Sequence, residues 1–230
     1  MAAGLLLAAL VAVPLLAQAP AAPGAQAARF VVVLDAAHGG DEAGAALGAG
    51  QTNQQTQPEK AFTLAFAGRL RALLTARGIA VVTTRDSDAA VDAGRRAEVA
   101  NRARAQACVS VHASMSGNGI HLYASSLAPA DGARLAAWKT VQAAYVTRSL
   151  KLAGDLNAAL SHAGVPVSIG RTALVGMDSM ACPAVAVELA PLAASAQTKA
   201  TAVTDAAYQT RVANALAAAL VQWRAEDQQP

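Results

Sequence analysis

The sequence predicts a single α/β domain, built on a twisted, mostly parallel sheet of about six strands flanked by helices on both faces. Two observations carry this. Short apolar, β-branched runs alternate with longer stretches of helical periodicity from Arg29 to Glu226, and neither an internal repeat nor an interdomain linker interrupts them. The first run, Arg29–Leu34, is apolar throughout its centre, as expected of a strand buried on both faces.

The elements follow in order. Residues 1–27 are set apart from the fold. The run Met1–Ala17 has the length of a signal-peptide core and is short for a membrane span. Ala-Gln-Ala triplets at Ala17–Ala19 and Ala25–Ala27 offer cleavage sites, the second just before the first strand. No Lys or Arg precedes the apolar run; a retained membrane anchor is the alternative reading. The predicted domain then spans residues 29–226. After the first strand comes a glycine-rich loop, His38–Gly50, and a polar irregular stretch, Gln51–Gln57. Pro58 suits a first helical turn, where a missing N–H costs nothing. The helix that follows runs to about Arg77, with Phe62, Phe66, Leu70, Leu73 and Leu74 on one face, and Gly78 ends it. Ile79–Thr84 is the second strand, Val91–Gln106 a helix, Ala107–Val111 the third strand and Ile120–Ala124 the fourth. Asp131–Ala163 reads as helical, in one piece or two. Strands are expected again at Thr172–Val175 and Ala184–Val187. Asp205–Glu226 closes the chain as an amphipathic helix with Val212, Leu216, Leu220 and Trp223 inward.

Composition narrows the function. At 230 residues the chain can bury a core of its own. Apolar residues are 54%, chiefly alanine, and aromatics 3%, so the core must be aliphatic and helix-rich. The net charge of +3 is scattered; it suits an anionic polymer such as cell wall, and no basic stripe with interleaved aromatics points to nucleic acid. The two cysteines, Cys108 inside an apolar strand and Cys182 just before another, are read as buried free thiols, with one disulfide as the alternative.

Four residues carry chemistry. In open α/β sheets, sites form at the carboxyl ends of strands. His38 follows the first strand and precedes Gly39-Gly40, which allow a tight bend. Asp35 is near enough in sequence to serve as an outer partner of that histidine. Glu59 opens a helix, where the macrodipole favours a carboxylate whatever its role. His112 ends the third strand. Glu188 ends the last, where a carboxylate left without a partner would have a raised pKa, as a general acid/base near neutrality needs. Each alone has an ordinary structural reading, and no local HExxH pattern is present. Together they fall where an α/β site belongs: His38, Glu59 and His112 can hold Zn2+, with Glu188 beside it. His121 and His162 are read as ordinary.

Val32-Val33-Leu34-Asp35-Ala36-Ala37-His38-Gly39-Gly40, Gly44-Ala45 and Glu59-Lys60 resemble the opening of the zinc-dependent N-acetylmuramoyl-L-alanine amidases. So do Ala76-Arg77-Gly78 through Thr84-Arg85-Asp86, Arg96-Ala97-Glu98-Val99-Ala100-Asn101, Cys108–Ser114, Gly119–Tyr123 and Pro183–Glu188. The resemblance spans about residues 30–225 and rests on these phrases jointly. It implies that His38, Glu59 and His112 hold zinc, that Glu188 is catalytic, and that the substrate is peptidoglycan, cut between N-acetylmuramic acid and L-alanine. It also allows an activator protein as an optional partner, while the apolar leader points to export to the periplasm or cell wall and the charge pattern to no nucleic acid. The alternative is a non-catalytic peptidoglycan-binding protein that keeps the fold.

The chain departs from the family pattern in places. Asp-Pro-Gly-His becomes Asp35-Ala36-Ala37-His38, so a left-handed residue before the histidine would put strain on Ala37. Leu189-Ala190-Pro191-Leu192 replaces the usual Gly-Phe and Ser-Asn after the glutamate. The segment Ser126 to about Leu152 exceeds a plain strand-to-helix link. It is read as a helical region that shapes the cleft; in some relatives an insertion here covers the zinc, and Asp131 is the acid available for that.

Overall fold

The computed structural model describes residues 29–48, 56–130 and 138–227. The predicted leader and Asp131 therefore lie outside the described residues, as does most of the stretch Gln51–Gln57. Among the described residues no helix is long and apolar enough to cross a membrane.

Strand β1 (Val31–Ala36) lies at the heart of the sheet, with Val32, Val33 and Leu34 fully buried. A two-residue ribbon, β2 (Ala46–Leu47) against β3 (Gln57–Pro58), leads into helix α1 (Glu59–Thr75). Then come β4 (Ala80–Thr83), α2 (Ala93–Ala103), β5 (Ala107–Ala113) and β6 (Ile120–Ser125). A 3-10 helix (Trp138–Ala144) precedes α3 (Val146–His162) and β7 (Val167–Thr172). A short 3-10 turn (Met177–Ser179), β8 (Ala184–Leu189) and α4 (Ala206–Asp227) complete the chain.

The six-stranded sheet has the order β4-β1-β5-β8-β6-β7. β4, β1, β5 and β8 run parallel; β6 runs antiparallel to β8, and β7 parallel to β6. The predicted mostly parallel sheet is thus present, with two reversed strands at one edge. That reversal sets the starts of β6 and β7 beside the ends of β5 and β8.

The two faces are unequal. On one, α1, α3 and α4 cover the larger core, which takes in Phe62, Phe66, Leu70, Leu74, Val212, Leu216, Leu220 and Trp223. Ala213, Ala217 and Ala219 are buried on α4 between those large residues. Methyl side chains there let α4 sit close against α1 and α3, since interaxial distance follows the size of the contacting side chains. The other face carries a smaller cluster around Val33, Ala97, Ala100, Met177 and Met180, under α2 and the short turn.

Several expectations need correction. The strand placed at Thr172–Val175 is instead β7, Val167–Thr172. β7 is an edge strand with mostly exposed positions, so it carries no apolar run, and the apolar residues after it belong to a loop. His112 and Glu188, read as the ends of their strands, are each followed by one more strand residue, Ala113 and Leu189, and pair in register with one another. The cysteines are not free: Cys108 and Cys182 form a disulfide with a Cα–Cα distance of 6.2 Å. Adjacency of β5 and β8 causes this, because Cys108 pairs in register with Ala184, two residues after Cys182.

Candidate metal centre

β1 ends at Ala36, and the chain turns sharply over the sheet end. The strain expected at Ala37 falls one residue later: His38 itself takes φ +62°, a left-handed value rare for a residue with a Cβ. Gly39 follows at φ +134°, where an added Cβ would come within 2.3 Å of the Ala89 carbonyl oxygen. This bend aims the His38 ring back across the sheet end.

Pro58 provides an extended entry to α1 and places Glu59 in its first turn. Glu59 is 5% exposed. One of its oxygens, Oε2, lies 3.1 Å from His38 Nε2 and accepts from the Ala45 N–H at 2.9 Å. Its other oxygen, Oε1, lies 3.4 Å from His112 Nδ1 and accepts from the Ala113 N–H at 2.9 Å. Burial by itself would raise the pKa of this carboxyl. The His112 hydrogen bond, the Ala45 and Ala113 amides and the charge of His38 outweigh it and hold the value at about 2. Glu59 is therefore a fixed anion at neutral pH.

His38, Glu59 and His112 each offer one ligand atom, and these atoms all lie within 4.8 Å of one another. The two rings meet edge to face, with centroids 5.5 Å apart. No other such group of His, Cys, Asp and Glu occurs among the described residues. Two imidazoles and one carboxylate form a nitrogen–oxygen donor set that suits zinc and leaves a tetrahedral position for water. The residues present fit a divalent ion.

Glu188 stands beside this group. It pairs in register with His112 on β5 and with His121 on β6, so all three side chains leave the same face of the sheet. Glu188 is half-buried. His121 and His162 stay outside the three-residue group, as expected; His121 Nδ1 sits 2.8 Å from Ser168 Oγ. A cleft of about 400 Å3 opens over the centre, lined by His38, His112, Arg96, Leu174, Val175 and Met177 among others. No described residue of Ser126–Leu152 lines it; the loop after β7 does, with Val175 89% exposed.

Asp35 does not serve His38. Its Oδ1 accepts from Thr84 Oγ1 and Arg96 Nη1, each at 2.6 Å, and its Oδ2 from Ser110 Oγ at 2.7 Å. The outer contact of His38 is Glu42 instead, whose Oε1 is 3.1 Å from Nδ1, although the pair lacks hydrogen-bond alignment. Sequence reading missed two buried arginines, Arg85 and Arg96, which hold the backbone around His38. The signal that could have found them is Asp35 itself: an acid at the end of a buried strand needs a cationic partner.

Residues 32–222 match the family profile described as N-acetylmuramoyl-L-alanine amidase. The curated N-acetylmuramoyl-L-alanine amidase Rv3717 of Mycobacterium tuberculosis is 32% identical over 198 residues, covering 77% of this chain and 80% of that protein. Among solved structures, the catalytic domain of the amidase CwlV from Bacillus (Paenibacillus) polymyxa superposes with a TM-score of 0.64 at 24% identity, over 85% of this chain and 98% of that one. The amidase Ami1 from Mycobacterium smegmatis gives 0.62 at 21% identity, over 86% and 97%. At those identities the structural likeness speaks for the fold alone.

Proposed function

The chain belongs to the N-acetylmuramoyl-L-alanine amidase family, and from that premise we propose that it is a zinc hydrolase that cuts the amide between N-acetylmuramic acid and the L-alanine of the peptidoglycan stem peptide. The observation that carries the reading is the convergence of His38, Glu59 and His112 beneath an open cleft, with Glu188 one strand away.

In this reading His38, Glu59 and His112 hold the ion. Zinc bound there supplies a Lewis acid for the scissile carbonyl and a water acidified to a pKa of about 7. The Glu59 carboxylate adds one negative charge to two neutral imidazoles. The site then keeps a net charge of about +1 with a divalent ion. Glu188 Oε takes the proton of the attacking water and returns it to the leaving alanine nitrogen. The wall of α2 and the loop carrying Leu174 and Val175 seat the substrate across the cleft. Export to the periplasm or cell wall is supported by the apolar leader and by the Cys108–Cys182 bond, since disulfides persist in oxidising compartments.

The test is digestion of purified peptidoglycan followed by mass spectrometry of the soluble products, with and without chelator. Free stem peptides with an L-alanine amino terminus are expected, lost on chelation and restored by zinc. Binding to sacculi without peptide release would favour a non-catalytic wall-binding protein and overturn the proposal.

A further inference from the structure

Arg85 and Arg96 are 5% and 9% exposed, and between them they hold three successive carbonyls of the turn that carries His38. Arg85 Nε donates to Ala36 O at 2.9 Å and its Nη2 to Ala37 O at 2.9 Å. Arg96 Nη1 donates to Ala36 O at 2.7 Å and its Nη2 to His38 O at 2.8 Å. The same Nη2 of Arg85 also reaches Lys60 O at 2.7 Å and Thr63 Oγ1 at 3.1 Å. Thr63 Oγ1 in turn donates to Ala37 O at 2.8 Å. One guanidinium thus ties the residue before His38 to the residue after Glu59. Asp35 pairs with Arg96 and aims its fork.

This arrangement has a specific consequence. His38 sits at φ +62°, and a left-handed residue with a Cβ persists only when its surroundings over-determine it. Planar forks with donors in fixed directions can do that; a flexible ammonium cannot. We propose that Arg85 and Arg96 are positioning residues, a guanidinium clamp that sets the His38–Glu59 spacing and through it the affinity of the site for its metal. The proposal rests on the zinc reading above.

The test measures zinc affinity by competition with a chromophoric chelator, and the visible spectrum of the Co2+-substituted protein, for wild type, R85K and R96K. Both variants keep the charge and the stem. Affinity is expected to fall about 10- to 100-fold, the range for lost partners of metal ligands. The cobalt bands should weaken or shift, while circular dichroism shows a retained fold. Millimolar guanidinium chloride, far below denaturing levels, should restore part of the affinity in R96A. Folded variants with wild-type zinc affinity and an unchanged cobalt spectrum overturn the clamp, and so does a loss of stability without a loss of affinity. Should the arginine variants not fold, T63V removes one link without touching charge: a severalfold loss of affinity supports the clamp and none refutes it. A wild-type protein that takes up no zinc refutes the metal reading beneath the clamp, which is a separate result.

Discussion

Gly44 offers the sharpest test of the site, because a single methyl group placed there meets two of the proposed ligands at once. A Cβ on Gly44 would lie 2.7 Å from Glu59 Cβ, from Glu59 Oε2 and from His38 Cδ2. Ordinary contact begins near 3.4 Å, so each neighbour would have to yield by 0.7 Å (3.4 − 2.7). Neither is free to do so. Glu59 is anchored by its own amide to Ala45 O at 2.8 Å and by Oε2 to the Ala45 N–H, and the His38 carbonyl is held by Arg96. Gly44 also has φ +69°, which costs alanine about 1–2 kcal/mol. Gly44→Ala should therefore lower stability by about 2–5 kcal/mol, the backbone strain and the overpacking taken together. It should also weaken zinc binding by about 10- to 100-fold, because the displaced atoms are the ligands themselves or their neighbours. Chelator competition gives the affinity and thermal melting of the metal-free protein gives the stability. Gly68→Ala is the control: nothing lies within 4 Å of its Cβ position, and it sits inside α1. That change should stabilise by about 0.5–1 kcal/mol and leave zinc affinity alone. A Gly44→Ala protein that binds zinc as tightly as wild type would show that His38 and Glu59 are not the ligands, or not in this arrangement.

Other outcomes follow from the same geometry. Glu188→Gln should keep zinc at wild-type stoichiometry yet lose about 100- to 10,000-fold in turnover, read as stem-peptide release; undiminished release removes Glu188 from proton transfer. Reducing Cys108–Cys182, which are 74 residues apart, should lower the free energy of unfolding by about 4 kcal/mol in denaturant titrations of oxidised against reduced protein. A difference near zero would mean the bond adds no constraint to the unfolded chain. Tyr208 is fully buried and donates to Ala190 O at 3.0 Å, and burial lifts its pKa from 10.0 to about 12. The folded pKa is raised, so its contribution is complete below pH 10 and is lost as pH climbs through 12. At about 1.4 kcal/mol per unit the loss amounts to about 3 kcal/mol. Tyr208→Phe should flatten that alkaline limb; equal pH dependence in both proteins would assign the loss elsewhere.

What was legible in the sequence is what burial writes into it. The run ending at Leu34, the Phe62–Leu74 stripe and the Val212–Trp223 stripe each report a face turned from water, and each lies where its periodicity put it. Pairing partners leave no such mark. Nothing in Cys108 or Cys182 says that β5 and β8 are neighbours, so the bond could not be read. The edge strand β7 shows the converse error. Its residues Val167–Thr172 are half solvated and look like a loop, while Ala173–Val175 look like a strand because they line a cleft. The ribbon of β2 and β3 is two residues long on each side, too short to have any period.

The site divides along the same line. Of the residues proposed for the site, His38, His112 and Glu188 stood out because an imidazole or a carboxylate at the end of an apolar strand has no reason to be there for packing. Arg85 and Arg96 did not stand out, because arginine after a strand or on a helix is normally a wet residue. Their burial can be traced through charge. Asp35 lies in the layer between β1 and α2, and one guanidinium neutralises it. The second guanidinium, Arg85, has no carboxylate at ion-pair distance among the described residues; burial and the nearby Arg96 lower its pKa against the pull of Asp88 and Asp35. What compensates Arg85 is a set of oxygen dipoles: the carbonyls of Ala36, Ala37, Lys60 and Ser87 and the hydroxyl of Thr63. The carbonyls of Ala36 and Ala37 are within its reach because the chain leaves the sheet after Ala36 and turns through a left-handed His38. The buried cations need the turn, and the turn needs the cations. Arg85→Lys, which removes the fork that holds the turn, should therefore loosen His38 and Glu59 together.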